Sequence, residues 1–435
     1  MGNRVLLVTN DFPPTFGGIQ SYLRDYCAEL ERRDPGRLTV FASTQDAAAA
    51  RAYDAAVPYR VVRWSRRIML PTPATARRMA RLIRDNDIDT VWFGSSTPMA
   101  LMAGAARRAG ARRIIGSTHG HEVGWSMVPG GRSVLRHIGR NVDCLTFVSR
   151  YARGRFMAAF GPTVAWEPMP GGVDATRFRP DPAGRERLRQ RYGIADRRVV
   201  VCVSRVVPRK GQDTLVEAMP ELLRRIPDAH LLIVGPGDYA GHLRTRAADL
   251  GVTDRVTVAG PVDADDLVAA YCAGDVFAMP VRTQAGGFSV EGLGIVFLES
   301  QACGVPTVAG DGGGAPETVR DGVTGDVVDG TDVSAVAGCV ADLLDDPARA
   351  ASYAAAGREY AEHAWNWRIL GAELESVLAG DGRRPPHHSW NWRGGPIRWS
   401  GYTVDGGERS ELESTAATIG IDIGELLEAE REEHG

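Results

Sequence analysis

Gln284 to Gly325 reads QAGGFSVEGLGIVFLESQACGVPTVAGDGGGAPETVRDGVTG, and the rest of the chain is organised around it. Two carboxylates, Glu291 and Glu299, stand with seven residues between them in a glycine-rich entry to a helix, followed by a buried strand and a second glycine-rich turn. Glycines at 286, 287, 292 and 294 let the backbone approach a ligand closely. The amides of Ile295, Val296 and Phe297 are then expected as unpaired donors at the positive end of a helix dipole, a place for phosphate or diphosphate. Glu291, just before the helix, and Glu299, on its second turn, would repel phosphate if they faced it, so they are expected to accept hydrogen bonds from neutral hydroxyls. Phosphate beside hydroxyls points to a sugar nucleotide.

The chain around this stretch alternates short apolar strands with helical stretches. From Arg4 it runs RVLLVTN, DFPPTFGG and IQSYLRDYCAELERR: strand, glycine turn, helix. The turn lacks G-x-G-x-x-G, which argues against a dinucleotide dehydrogenase. Gly17-Gly18 opens a helix whose amides either face an anion or simply make a tight packing turn. Strands are predicted at LTVFA, YRVVRW, DTVWFG, RIIGST and CLTFVS, and a second series at VVVCVSR, HLLIVG, RVTVAG, DVFAMP and PTVAG. Such alternation predicts two Rossmann-like α/β domains with parallel sheets, facing a central cleft, with ligands beyond the carboxyl ends of the strands. His119 and His121, in STHGHE after RIIG, sit at such an end and serve either packing or binding. Arg205 and Lys210 follow the first strand of the second series, and Lys210 is the only lysine among 51 basic Lys and Arg residues, which marks its ammonium as retained for a purpose.

The domains are expected at 1–170 and 171–364, with Val164 to Gly172 as the crossing between them. Residues 381–435, rich in Pro, Gly and Trp and then acidic, are expected to be a mostly disordered tail. At 435 residues, 44% apolar and 24% charged, the composition is that of a globular protein of two or three domains. Six isolated cysteines (27, 144, 202, 272, 303, 339) imply neither a disulfide framework nor zinc. There is no leader pattern and no long apolar run, so a protein neither exported nor membrane-spanning is expected. The net charge of −3 hides an asymmetry, because residues 1–170 carry 24 Arg against 13 Asp and Glu. Tyr59 to Arg84 holds eight arginines and no acid, interleaved with apolar residues, which suits either an anionic surface or a solvated domain edge.

GFSVEGLGIVFLESQACGVPTVA, with Glu291 and Glu299, resembles the signature of retaining glycosyltransferases of family 4, which have the GT-B fold. VTNDFPPTFGGIQSYLRDY resembles the donor-side loop of that family, and SRVVPRKG its diphosphate-binding Arg/Lys segment. The resemblance spans about 1–380 and is greatest to the branch that moves mannose from GDP-mannose to a phosphatidylinositol mannoside lipid. It implies that Gly17 and Gly18 border the diphosphate, Arg205 and Lys210 neutralise it, Glu291 holds the sugar hydroxyls and Glu299 the ribose. It further implies that His119 contacts the transferred sugar, that Asp11 lies near the acceptor hydroxyl, and that a last helix, 365–380, crosses back onto the first domain. The departing phosphate would itself take the acceptor proton, with no metal or cofactor and no nucleic-acid partner. The enzyme would sit peripherally on the inner face of the cell membrane, with 59–84 on the anionic lipid. A family 4 transferase with a soluble acceptor, a sugar-nucleotide epimerase and a non-catalytic sensor are the other readings.

Overall fold

The computed structural model describes residues 3–15, 17–120, 122–284 and 289–380. His121, Gly286, Gly287 and the 381–435 tail lie outside the described residues. Contacts divide the described chain into two units, 3–171 with 367–380, and 172–366.

The first unit is built on a parallel seven-stranded sheet: β1 (Val5–Thr9), β2 (Leu38–Ala42), β3 (Arg60–Arg63), β4 (Thr90–Phe93), β5 (Arg113–Ser117), β6 (Cys144–Phe147) and β7 (Ala165–Pro168), in the order 3-2-1-4-5-6-7. Its inner strands are short unbroken apolar runs, buried throughout in β1, β2 and β4, as parallel strands covered by helices on both faces must be. Leu7 pairs with Val40 on one side and Trp92 on the other, so β1 is central. The chain winds outward from β1 to β3, then returns to β4 and winds the other way. The crevice at the carboxyl ends of β1 and β4 is therefore the switch point where such sheets take ligands.

The expected crossing at 164–172 is in part a strand. β7 pairs with β6 from Cys144↔Ala165 to Phe147↔Pro168, and a terminal proline is tolerated there because β7 is an edge strand. Helix Trp367–Ala379 packs on helix Gly18–Arg33, with Trp367 edge-on to Tyr26 at 5.1 Å and Glu375 paired with Arg37 at 2.8 Å.

The second unit repeats the plan with six parallel strands: β8 (Arg198–Val203), β9 (Ala229–Val234), β10 (Val256–Gly260), β11 (Val276–Met279), β12 (Thr307–Gly310) and β13 (Gly325–Val328), ordered 10-9-8-11-12-13. Here the switch point lies between β8 and β11. One continuous core, from Val199 to Val203 through Phe277, Phe297 and Leu298 to Trp365, fills this unit. β13, absent from the strands predicted in sequence, forms because its backbone pairs with β12 from Thr307↔Gly325 to Gly310↔Val328.

Candidate active site

The residues singled out in the sequence fall into two groups, one at each switch point. In the second unit β8 delivers Ser204 and Arg205, and a single 3₁₀ turn, Pro208–Lys210, leads into helix Gln212–Arg225. Gln212, fully buried at the start of that helix, donates from Nε2 to Ser204 Oγ at 2.9 Å and to the Arg205 carbonyl at 3.0 Å, which fixes the loop. The backbone amide of Arg282, just past β11, donates to the Arg209 carbonyl at 2.9 Å and ties the two strand ends together. Arg282 also donates to Thr214 Oγ1 at 2.9 Å and pairs with Asp213 at 2.5 Å.

Lys210 Nζ lies 2.6 Å from Glu291 Oε2, with the two side chains only 7% and 12% exposed, and Arg209 Nη2 lies 3.9 Å from the same oxygen. Burial alone would push the Glu291 carboxyl up. The charges of Lys210, Arg209 and Arg205 outweigh it and hold the group below its ordinary value, so it is an anion at neutral pH. Three cations around one carboxylate leave a positive excess suited to a diphosphate, while the carboxylate accepts from hydroxyls. Arg205 is exposed beside this pair.

The second glycine-rich turn braces Glu291 from behind. The Gly314 amide donates to the Glu291 carbonyl at 2.9 Å, and Gly313, at φ 64°, comes so close that a Cβ would lie 2.2 Å from that carbonyl oxygen. Helix Ile295–Ala302 starts after Gly294. One expectation fails here: the Phe297 amide is not an unpaired donor, because it closes a tight first turn onto the Gly294 carbonyl at 3.0 Å. Ile295 and Val296 remain the amides at the helix start. Glu299, on the second turn, accepts a short hydrogen bond from the Tyr271 hydroxyl, and burial together with the Glu299 charge pushes that phenol well above its ordinary value.

In the first unit the β1 loop carries Asp11, whose Oδ1 accepts from Gln20 Nε2 at 3.2 Å, so the loop and the first turns of helix Gly18–Arg33 are joined. Gly17 caps that helix and Gly18 opens it, both exposed. Tyr22, one turn further on, meets His119 edge to face at 4.9 Å and donates its hydroxyl to the Met169 carbonyl at 2.7 Å. His119 follows β5, and its Nε2 contacts the Gly94 carbonyl at 2.7 Å. A carbonyl only accepts, so the proton sits on Nε2.

Sequence reasoning passed over Glu122, although it lies within STHGHE. Its fully buried carboxylate accepts from the amides of His119 at 3.0 Å and Gly120 at 3.1 Å and from Ser96 Oγ at 3.1 Å. Glu122 therefore fixes the loop that presents His119. An acid three residues after a histidine at a strand end was the available signal.

The 59–84 segment is not uniformly a surface. Arg66, Arg67, Ile68 and Leu70 face solvent, with Ile68 64% and Leu70 54% exposed. Arg63 instead points inward, paired with Asp54 at 2.7 Å, donating to the carbonyls of Pro13 at 2.7 Å and Ser43 at 3.0 Å, with its guanidinium 5.7 Å from the centre of the Phe12 ring.

Residues 16–177 match the Glycosyltransferase Family 4 model and residues 184–360 the Glycosyl transferases group 1 model. The chain is 57% identical over 379 residues to the GDP-mannose-dependent alpha-(1-6)-phosphatidylinositol monomannoside mannosyltransferase of Mycolicibacterium smegmatis, covering 86% of this chain and 98% of that protein. It is 52% identical to the corresponding enzyme for the monoacylated lipid in Corynebacterium glutamicum, covering 87% and 98%. In structure it is similar to Anabaena Alr3699/HepE, solved in complex with UDP, with a TM-score of 0.72 at 20% identity over 87% of this chain and all of that one. With both units matched and whole relatives covered at more than half identity, the chain belongs to the family 4 glycosyltransferases, with the GT-B fold of two Rossmann-like parallel-sheet domains.

Proposed function

We propose that the protein is a GDP-mannose-dependent mannosyltransferase that extends phosphatidylinositol monomannoside in α-(1-6) linkage, with retention at the transferred carbon. The observation that carries this reading is the coverage of 98% of relatives that bear this activity in their names, at 52–57% identity. The local chemistry supports it. Arg205 and Lys210 neutralise the donor diphosphate together with the amides of Ile295 and Val296, and Gly17 and Gly18 border it. Glu291 receives the hydroxyls of the mannose, Glu299 those of the ribose, and His119 meets the sugar while Asp11 lies near the acceptor hydroxyl.

On binding, the phosphate oxygens take over the Lys210 ammonium and Glu291 turns to the sugar, so the two side chains that pair with each other also read the donor. As the bond to the anomeric carbon breaks, charge builds on the leaving phosphate, where fixed cations act most strongly. That phosphate accepts the proton of the acceptor hydroxyl on the same face of the sugar, which gives retention without a protein nucleophile. No metal ion is required. The lipid acceptor brings the enzyme to the inner face of the membrane, where Arg66 and Arg67 meet anionic headgroups.

The test is incubation of the purified protein with radiolabelled GDP-mannose and phosphatidylinositol monomannoside in vesicles. A lipid-soluble dimannoside whose new linkage yields to α-mannosidase is expected. Label appearing only on a soluble acceptor, or consumption of another sugar nucleotide in preference, would overturn the reading.

A further inference from the structure

Five of the six large apolar side chains most exposed among the described residues belong to the first unit. Two are Ile68 and Leu70; the other three are Trp125 at 36%, Met127 at 38% and Val128 at 48%. The second set forms a short knuckle between helix Glu122–Ser126 and helix Pro129–Gly139. This knuckle is not loose. Ser126 Oγ donates to the Val123 carbonyl at 2.7 Å, Arg132 Nε donates to the Ser126 carbonyl at 2.5 Å, and the Arg132 amide returns to the Val128 carbonyl at 2.9 Å. Gly131 passes so close beneath that a Cβ there would lie 2.2 Å from the Trp125 carbonyl oxygen. A tightly tied turn that nevertheless presents a tryptophan, a methionine and a valine outward is a display.

The charges that follow it along the chain are of one sign. From Val123 to Val142 the chain has Arg132, Arg136 and Arg140 and no acid. An aromatic residue and two aliphatic ones, followed along the chain by Arg132 and Arg136, match an anionic lipid surface, where the apolar tips enter the acyl boundary and guanidinium groups reach the headgroup phosphates. A stable protein partner would need acids for these arginines and a broader apolar centre. The knuckle also has an inward connection: Glu122, at the other end of its helix, pins the His119 loop.

We propose that Trp125, Met127 and Val128 form an interfacial anchor that enters an anionic bilayer independently of the 59–84 segment and holds the His119 loop at the depth of the acceptor headgroup. The proposal rests on the lipid-acceptor reading for its functional consequence, but the membrane contact stands on the knuckle alone.

The experiment compares the full chain with the triple variant Trp125→Ser, Met127→Ser, Val128→Ser, and with Trp125→Phe. Vesicles of phosphatidylinositol and phosphatidylcholine carry quenchers at shallow and deep acyl positions. The fluorescence difference between wild type and Trp125→Phe, which isolates Trp125, should be quenched by the shallow probe. Losing three partly buried apolar contacts should weaken vesicle binding at least about tenfold. Transfer to phosphatidylinositol monomannoside in vesicles should fall in step, while transfer to its deacylated, water-soluble form stays as in wild type. The deacylated acceptor also serves as the folding control, and Met127→Ser alone, with a smaller loss of binding, covers the case in which the triple variant does not fold. Equal binding by wild type and the folded variants, or a Trp125 signal untouched by either quencher, would overturn the anchor. So would a concentration-dependent dimer abolished by the same substitutions with vesicle binding unchanged, since the knuckle would then belong to a second copy. If neither acceptor is mannosylated by wild type but Trp125 is quenched, the anchor stands and the acceptor reading fails.

Discussion

Lys210 and Glu291 form a largely buried ion pair, 2.6 Å from nitrogen to oxygen, so the only lysine of the chain and the first acid of its signature stretch neutralise one another. Breaking such a pair by removing one partner leaves an uncompensated buried charge, at a cost of roughly 3 kcal/mol. Lys210→Ala should therefore lower the melting temperature as well as slow transfer by about two to three orders of magnitude. The Lys210→Ala, Glu291→Gln double variant should recover part of the lost stability and none of the rate. A double variant no more stable than Lys210→Ala would show that the pair is not coupled. The Glu291 carboxyl is held below its ordinary value of 4.5, so the contribution of the pair is complete at neutral pH and is lost only as pH falls through that lower folded value.

Catalysis should proceed at full rate in excess EDTA. In the proposed mechanism the positive charge facing the leaving group comes from Lys210, Arg209 and Arg205, whose combined field already depresses Glu291. The measurement is initial rate after chelation and after adding back Mg²⁺ or Mn²⁺; a rate that returns only with the metal would contradict this.

Between pH 6.5 and about 4, acid should weaken the second unit through His230. His230, buried in β9 with Nε2 at 2.8 Å from Thr257 Oγ1, is held down to about 4 from an ordinary 6.5, chiefly by burial and then by the charges of Arg197 and Arg255. The unfolded chain binds the proton between those two values and the folded chain does not, so stability falls as pH drops from 6.5 towards 4, by up to about 3 kcal/mol. His230→Gln should flatten the dependence of melting temperature on pH in that window. An unchanged slope would assign the acid sensitivity elsewhere.

The arginines of 59–84 should separate into two kinds. Arg66→Ser with Arg67→Ser should reduce sedimentation with anionic vesicles and leave the melting temperature nearly unchanged, since both are exposed. Arg63→Ser should do the reverse, costing roughly 2–3 kcal/mol through the lost Asp54 pair and the stranded carbonyls of Pro13 and Ser43. Circular dichroism melts beside co-sedimentation separate the two outcomes.

The alternation of strand and helix was legible because parallel strands covered on both faces are unbroken apolar runs, as VLLVT in β1 shows. Glu291 and Lys210 were each legible, one from its glycine-rich setting and the other from a bias towards Arg. Their meeting was not. Residues 210 and 291 become neighbours only because β11 pairs with β8 while β9 and β10 lie on the other side. Gln212 carries no signal in the sequence, and its role appears only once it is seen buried against the loop it holds. Arg63 looked like one of eight surface cations because its acid, Asp54, sits on the preceding helix and its two carbonyls belong to other loops. β7 and β13 were missed because short strands bearing proline or glycine acquire their conformation from the neighbour they pair with.

The most direct test of the donor site uses the singleton lysine. An amine-directed reagent can modify only Lys210 and the N-terminal amine, so peptide mapping after limited labelling follows one side chain. Labelling of Lys210 should be slow in wild type, faster in Glu291→Gln, accompanied by loss of transfer, and blocked by saturating GDP, with Lys210→Arg failing to restore turnover because a planar guanidinium cannot replace the compact ammonium. Equal labelling of Lys210 with and without GDP, or wild-type turnover in Lys210→Arg, would contradict the assignment of this residue to the donor diphosphate.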